Sequence, residues 1–407
     1  MTADGARAGR YVKQPTGYRA FIPAPLPPAP PLNFHSPMIA LLAQPAFAID
    51  TAASEIYTLP DADLFVAMYV RREAVLSSQI EGTQSSLDDV LAFEVDPTGQ
   101  QIPQDVTEVV NYIRAMNFGL ARLETLPLSL RLIREIHDVL MQGVRGATKQ
   151  PGEFRTSQNW IGPGNVPLSR ASFVPPPPAE MREALANLEA FLHDRDTLHP
   201  LIHCGLAHAQ FETIHPFLDG NGRVGRLLIT FLLYHRGVLH KPLLYLSTYL
   251  KAHRAEYYDR LTAIRERDDW EGWIRFFLRG VSETAAEATA AARAIVQMRD
   301  RHRTLVQEHG LGTNGLRLLD VLYHYPIVNV RFIEGQLHVA FVTANKLMRA
   351  MQDLQILEEM TGNKKNRRFR YTRYLLLFTE PELVEDQEVV VQTTTSSTDH
   401  DEPSRLV

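Results

Sequence analysis

Between His215 and Arg226 the chain reads HPFLDGNGRVGR, and the apolar run LLITFLLY follows at once. Twelve residues hold a histidine, a carboxylate, an asparagine, three glycines and two arginines. Asp219-Gly220-Asn221-Gly222 predicts a tight turn, because glycine accepts positive φ and leaves room for close approach. A helix is expected to start directly after it. Free N–H groups at a helix start, together with the helix dipole and successive turn amides, make an anion site. Arg223 and Arg226 are three residues apart and so share a helix face. Two guanidinium forks beside such a nest suit a polyphosphate better than a lone carboxylate. Asp219 at the rim would repel phosphates unless a divalent cation lay between them, and Mg²⁺ is the natural candidate. His215 titrates near neutrality and is the candidate general base. These parts suit transfer of a phosphate-bearing group from a nucleotide to a hydroxyl. The G-x-x-x-x-G-K-[ST] pattern is absent, which excludes a P-loop. A bare Gly-Asn-Gly would equally suit a capping turn whose arginines pair with surface acids. The full arrangement of twelve residues argues against that reading.

The rest of the chain must position these groups. At 407 residues, two or three domains are expected. Apolar residues make up 45% and charged residues 22%, as in ordinary globular protein. The net charge of −5 argues against a nucleic-acid coat but leaves room for a local basic patch. A single cysteine, Cys204, allows neither an internal disulfide framework nor a Cys-based zinc site, and suits a reducing compartment. No apolar run is long enough for a membrane helix and no signal-peptide core is seen, so a cytoplasmic location is expected. Residues 1–35 read as a Pro-rich arm lying on its own domain. "DADLFVAMYVRREAVLSSQIEG" repeats apolar residues at three and four spacing and stops at Gly82, a plausible left-handed C′ residue. "DVTEVVNYIRAMNFGLARLETL" and "SLRLIREIHDVLMQGV" predict two more amphipathic helices, the second ending at Gly143 and Gly146. Residues 150–178, rich in Gly, Pro, Asn and Ser, read as a hairpin-like flap with β-prone pieces around Trp160 and Phe173. Further helices follow to about residue 308.

The stretch from His215 resembles the signature of the Fic family of protein adenylyltransferases, His-x-Phe-x-Asp/Glu-Gly-Asn-Gly-Arg-x-x-Arg, with every fixed position filled. "HPLIHCGLAHAQFETI" and "LLYLSTYLKAHRAEYYDRL" are similar to the family too, so the likeness covers about residues 35–285. The resemblance implies a mainly α fold: a Fic-type helical bundle with a β-hairpin flap, here followed by a C-terminal winged-helix-like domain. The expected division is a helical region at 36–125, a catalytic core at 126–308, the small domain at 309–380 and a disordered acidic tail at 381–407. His215 would deprotonate a Tyr, Thr or Ser hydroxyl of a target protein, or of the enzyme itself. That hydroxyl would attack the α-phosphate of ATP, taking AMP and releasing pyrophosphate. Asp219 would hold Mg²⁺. Gly220, Asn221 and Gly222 would form the anion hole, and Arg223 and Arg226 would hold the β- and γ-phosphates. Val224 and Gly225 complete the ATP-binding stretch. Phe217 would anchor the loop. Tyr258 would pack near the nucleoside, although a core pair Tyr257-Tyr258 accounts for it as well.

A second stretch, SSQIEG, matches the family's inhibitory motif, Ser/Thr-x-x-x-Glu-Gly/Asn, as Ser77, Glu81 and Gly82. Ser77 and Glu81 share a helix face. The resemblance implies that Glu81 pairs with Arg226 and so denies that guanidinium to the γ-phosphate. Its place before the core marks the branch with an N-terminal inhibitory helix. The flap is expected to hold a target segment as an added strand.

Three alternatives stand beside this reading. His199 and His203 have metal-ligand spacing, but no acid joins them and capping or core roles account for them better. "TANKLMRAMQDL" reads as a recognition helix and "NKKNRRFRYTR" as a basic wing, so a DNA-binding regulator carrying a Fic core is an alternative function. Removal of AMP is another, since an inhibitory glutamate can also position a hydrolytic water. A homodimer is compatible with all of these.

Overall fold

The computed structural model describes residues 6–33, 36–57, 61–97, 104–144, 146–162, 166–242, 244–363 and 366–379. The acidic stretch at 381–407 lies outside them. The chain divides into two compact units, residues 1–90 with 99–289, and residues 91–98 with 290–407.

The first unit opens with two strands, β1 (Gly9–Lys13) and β2 (Arg19–Pro23), paired antiparallel with Tyr11 opposite Phe21. Helices follow: α1 (Ser36–Tyr57), α2 (Ala62–Ile80), α3 (Leu87–Val95), α4 (Gln104–Leu123), α5 (Leu130–Leu140), α6 (Pro178–His193), α7 (Pro200–Ile214), α8 (Asn221–His235), α9 (Ser247–Ala252), α10 (Arg254–Arg267) and α11 (Trp270–Glu308). The chain passes between the two units inside α3 and inside α11.

The Pro-rich arm thus contains a hairpin that composition alone did not mark. The Phe21 N–H donates to Val174 O at 2.9 Å, tying β2 to the flap. Arg7 forks onto Glu271 (2.7 and 2.8 Å) and also bonds Asp268 at 2.9 Å. Proline removes backbone donors, so these side-chain anchors do work that strand ladders do elsewhere.

Helix α7 is the axis of the unit. Every residue from Leu201 to Ile214 is buried. A helix buried all round belongs in a core, and its polar members need partners there. His203 Nε2 bonds Phe191 O at 2.7 Å, and Gln210 Nε2 donates to Ala24 O at 2.8 Å. Pro200 sits in the first turn, where a missing N–H costs nothing, and His199 Nδ1 accepts the Leu201 N–H. Thus His199 caps α7 and His203 serves the core. Helix α8 runs back along α7 and is flanked by α2, α4 and α5. The α7–α8 connection is therefore walled by helices drawn from the first half of the chain.

The flap is leaner than a full hairpin. Among the described residues its pairing is one bridge, Ile161 to Phe173, with Ile161 N–H donating to Phe173 O at 2.8 Å and Phe173 N–H to Ile161 O at 3.1 Å. Prolines 175 to 178 keep the returning strand from growing.

In the second unit α12 (Gly312–His324), β3 (Ile327–Asn329), α13 (Val330–Leu337), α14 (Phe341–Asp353), β4 (Glu358–Glu359), β5 (Arg368–Arg370) and α15 (Thr372–Thr379) follow in order. The sheet order is β3-β5-β4, all antiparallel. The sequence predicts two β-prone runs about Gly362-Asn363. The second run is strand only as far as Arg370, and the apolar TRYLLLF becomes α15. Tyr374, Leu375, Leu377 and Phe378 are buried there. Tertiary burial at helical spacing overrides β propensity.

Candidate active site

The connection between α7 and α8 is fixed from every side. His215 ends α7 in the left-handed conformation, φ 49°, and Gly220 starts α8 at φ 77°. Asn221 clasps the loop: Phe217 N–H donates to its Oδ1 and its Nδ2 donates to Phe217 O, both at 2.8 Å. Phe217 is wholly buried, and its ring stacks on His137 at 3.7 Å between centroids. Burying such a ring contributes roughly 1.5–3 kcal/mol. Gly152 N–H donates to His137 Nδ1 at 2.9 Å, so Nε2 carries the proton and donates to Asp219 O at 3.0 Å. Burial pushes the His137 imidazole down to about 4, keeping this neutral tautomer.

The flap braces the same loop. Arg155 is completely buried and donates through Nε to His215 O (3.0 Å) and through Nη2 to Pro176 O (2.6 Å). A cation on carbonyls at a helix C-terminus also meets the negative end of its dipole. Asn159 Nδ2 donates to His215 O at 3.2 Å and Phe217 O at 2.8 Å.

His215 is held by its backbone, with its N–H on Phe211 O at 2.9 Å. Burial, reinforced by the Arg155 cation, pushes its imidazole down to about 4. The ring is therefore neutral at pH 7, the form that accepts a proton. Glu212, one turn earlier, is buried, and burial raises its carboxyl to about 7. A methyl on Gly225 would lie 2.2 Å from Glu212 Oε1, so the carboxyl packs directly on the α8 backbone at that crossing. His208 locks it further, bonding Gly225 O and Tyr257 OH, each at 2.9 Å.

The two arginines of α8 are both buried and both paired. Arg223 Nη1 meets Glu108 Oε2 of α4 at 3.2 Å, and its Nη2 lies 3.6 Å from Met141 Sδ. Arg226 donates through Nε to Ser77 Oγ (2.7 Å) and through Nη2 to Ser77 O (2.9 Å) and Glu81 Oε1 (2.7 Å). Glu81 is the C-cap of α2, and Gly82 follows at φ 99°. Burial opposes its ionisation, but Arg226 outweighs burial and holds the carboxyl below the usual range. A methyl on Gly222 would lie 2.2 Å from Glu81 Oε1. The Glu81 carboxylate therefore lies on the first turn of α8, at the place an anion is expected.

Beneath this pair is a buried network. Glu73 accepts from Tyr112 OH at 2.9 Å, from Ser247 Oγ at 2.6 Å and from Ser247 N–H at 3.1 Å. It stands one turn before Ser77 on α2.

Asp219 Oδ1 accepts the Gly220 N–H at 2.7 Å. A methyl on Gly146 would lie 2.7 Å from Asp219 Oδ2, so that oxygen faces room kept by glycine. One half-exposed carboxylate beside a phosphate nest fits Mg²⁺, which takes one or two carboxylates and otherwise phosphate oxygens and water. No group of three or more His, Cys, Asp or Glu suited to hold a metal occurs among the described residues.

Tyr257 is core, bonded to His208, whereas Tyr258 is 39% exposed under the Arg254 guanidinium, 5.3 Å from its ring centre. Burial raises its phenol to about 12, and the nearby Glu81 charge adds to this. Val224 and Gly225 lie inside α8, buried against α7.

His215, Asp219, Gly220, Gly222, Arg226, Ser77 and Glu81 thus converge, and Arg223 stands one turn away from Arg226. The Asn221 side chain is committed to Phe217, so only its backbone is available to a ligand. Sequence reasoning missed Glu108, His137, Arg155, Asn159, Glu212 and Glu73. Glu212 carried a signal, since it stands three residues before His215. Glu73 carried one too, since it stands four residues before Ser77 on the same helix, whereas the others come from remote segments and have no spacing to betray them.

A helical bundle with an anion-binding turn between two central helices defines the class. The chain matches the Fic/DOC family over residues 127–233 and the Fic/DOC family N-terminal region over residues 39–121. Both matched stretches are thus of the Fic/DOC family. It is 33% identical over 158 residues to the protein adenylyltransferase Fic of Aedes aegypti, covering 38% of this chain and 27% of that protein. With the Drosophila grimshawi protein of the same name it shares 30% over 197 residues, 48% of this chain and 36% of that protein. The chain spans about a third of the length of these relatives. The crystal structure of a Fic family protein from Desulfovibrio desulfuricans G20 superposes with a TM-score of 0.55 at 20% identity, covering 84% of this chain and 97% of that one. That likeness concerns the fold. Among the described residues no helix is long and apolar enough to cross a membrane.

Proposed function

We propose that this chain is a protein adenylyltransferase held off by its own α2. ATP would place its polyphosphate on the N-terminus of α8, where Gly220, Asn221 and Gly222 offer backbone N–H groups. Asp219 would hold Mg²⁺, which neutralises phosphate charge. Neutral His215 takes the proton of a target Tyr, Thr or Ser hydroxyl as that oxygen forms its bond to the α-phosphorus. The bond to the β-phosphate oxygen breaks and pyrophosphate leaves. Arg223 and Arg226 would carry the β- and γ-phosphates once free to do so. The reading divides residues 36–308 into an inhibitory helical region, 36–125, and a catalytic core, 126–308.

The observation that carries this reading is the Glu81 carboxylate lying on Gly222 and bonded to Arg226 at 2.7 Å. The chain's own anion occupies the cradle expected for the nucleotide's anion. A target segment would pair along the flap near Trp160 and Ile161, which are 42% and 40% exposed. Arg155 and Asn159 of the same flap brace the loop, so a test of target binding must avoid them.

Transfer of labelled AMP from ATP to protein, compared between wild type and Glu81→Gly, tests the proposal. More transfer by the variant supports it, and equal transfer sinks the inhibitory role. A variant that gains no transfer but loses release of AMP from a modified protein favours AMP removal, with Glu81 orienting the water. Tryptic mapping of the adduct gives the acceptor residue.

A further inference from the structure

Helices α13 and α14 are joined by three residues, His338 to Ala340, and His338 takes the left-handed conformation at φ 54°. Two helices around so short a turn have the geometry of a helix-turn-helix. Helix α14 buries Ala344, Leu347, Met348 and Met351. Its opposite face presents Val342, Thr343, Lys346 and Arg349 to solvent at three and four spacing. Val342 is 77% exposed and Phe341 45%, although both are large and apolar. Packing within the unit gives them no reason to be there, and adjoining cations suggest a partner.

The surroundings share the charge. Arg331 of α13 is exposed and stands over Phe341, 5.8 Å from its ring centre. Arg367, just before β5, donates to Asn345 Oδ1 of α14 at 3.2 Å, so the wing lies beside the helix. Residues 312–379 carry ten Lys or Arg against five Asp or Glu, while the whole chain has a net charge of −5. Excess cations are therefore concentrated in this stretch. With 13 residues α14 is about 20 Å long, and a helix fits the major groove, about 12 Å wide.

We propose that the outer face of α14, with Arg331 and Arg367 beside it, binds duplex DNA. Lys346 and Arg349 face phosphates or guanine edges, and Phe341 and Val342 offer apolar contact to thymine methyl groups. Arg331 and Arg367 flank the helix toward the backbone. A protein partner would also use Phe341 and Val342, but it gives no account of the clustered cations. This proposal is independent of the adenylyl-transfer reading.

The test is fluorescence anisotropy of the full chain with a labelled mixed-sequence duplex of about three helical turns, between about 50 and 200 mM salt. Wild type is expected to bind, with log affinity falling linearly against log salt. Lys346→Glu with Arg349→Glu is expected to lower affinity about tenfold or more and to flatten the salt slope. Lys346→Gln with Arg349→Gln, which removes charge without reversing it, should do so less strongly. Both positions are exposed, and an unchanged melting temperature shows that the fold is kept. No binding at the lowest salt, or binding that neither double variant weakens, overturns the proposal and assigns Phe341 and Val342 to a protein partner.

Discussion

Arg223 and Arg226 stand one turn apart on α8, and a glutamate from another helix meets each. Glu108 comes from the second turn of α4, and its side chain is 10% exposed. Glu81 comes from the C-cap of α2, and its side chain is 35% exposed. The first pair is walled in, so losing one partner strands a buried charge. The second has one buried member and one at the rim. Arg226 keeps two bonds to Ser77 when Glu81 leaves, so it stays in place while the Nη2 N–H that met Glu81 becomes available. Two pairs of one chemistry therefore serve different ends: one holds the bundle and the other acts as a latch.

The largest effect is expected at the base both arginines serve. In a Glu81→Gly background, His215→Ala should lower AMP transfer about 10²–10⁴-fold. Retained transfer would remove His215 from its role. Glu108→Ala should cost about 3 kcal/mol of stability by leaving Arg223 buried and short of a partner. Glu81→Gly should cost only about 0–1 kcal/mol. Chemical denaturation of both variants measures this contrast, and equal losses would erase the distinction between clamp and latch. In transfer assays Glu81→Gly should raise the rate about 10- to 100-fold, the worth of a hydrogen bond to a charged group. Glu108→Ala should not raise it.

Acid should loosen the whole arrangement. His137, His203 and His208 are buried, and burial holds each near about 4, below the ordinary imidazole value of 6.5. Between those values the unfolded chain binds more protons than the folded one. Stability is therefore full above about pH 6.5 and falls as pH drops toward 4, by of order 1 kcal/mol per histidine near pH 5.5. Melting temperatures across that range check the sign. The smallest effect is expected for Ser77→Ala. It removes the Arg226 Nε acceptor but leaves the backbone carbonyl and Glu81, so activation should be about fivefold at most, weaker than for Glu81→Gly.

Parts of the site were legible because local rules write them. Gly220 and Gly222 announced the turn, and the three-residue spacing of Arg223 and Arg226 set their shared face. The Ser77–Glu81 pair was visible as one face of α2, and the helices themselves followed from apolar spacing. The hairpin at 9–23 was hidden, because prolines around it read as an arm and its anchors Asp268 and Glu271 lie more than 250 residues away. The role of Asn221 was also hidden. A ligand-facing side chain and a loop clasp look alike in sequence, and only the Phe217 backbone distinguishes them.

By itself the sequence determined the chemistry at the α8 mouth: a base, an anion nest, two guanidinium groups and a carboxylate. Those depend on residue type and on spacing within one or two turns. The tertiary structure alone decided which acid meets which arginine, and how deeply. Pair partners more than a hundred residues apart are set by helix packing, and the cost of parting them is set by burial. That is why Glu81 and Glu108 cannot be ranked from the chain and are plainly unequal once it is folded.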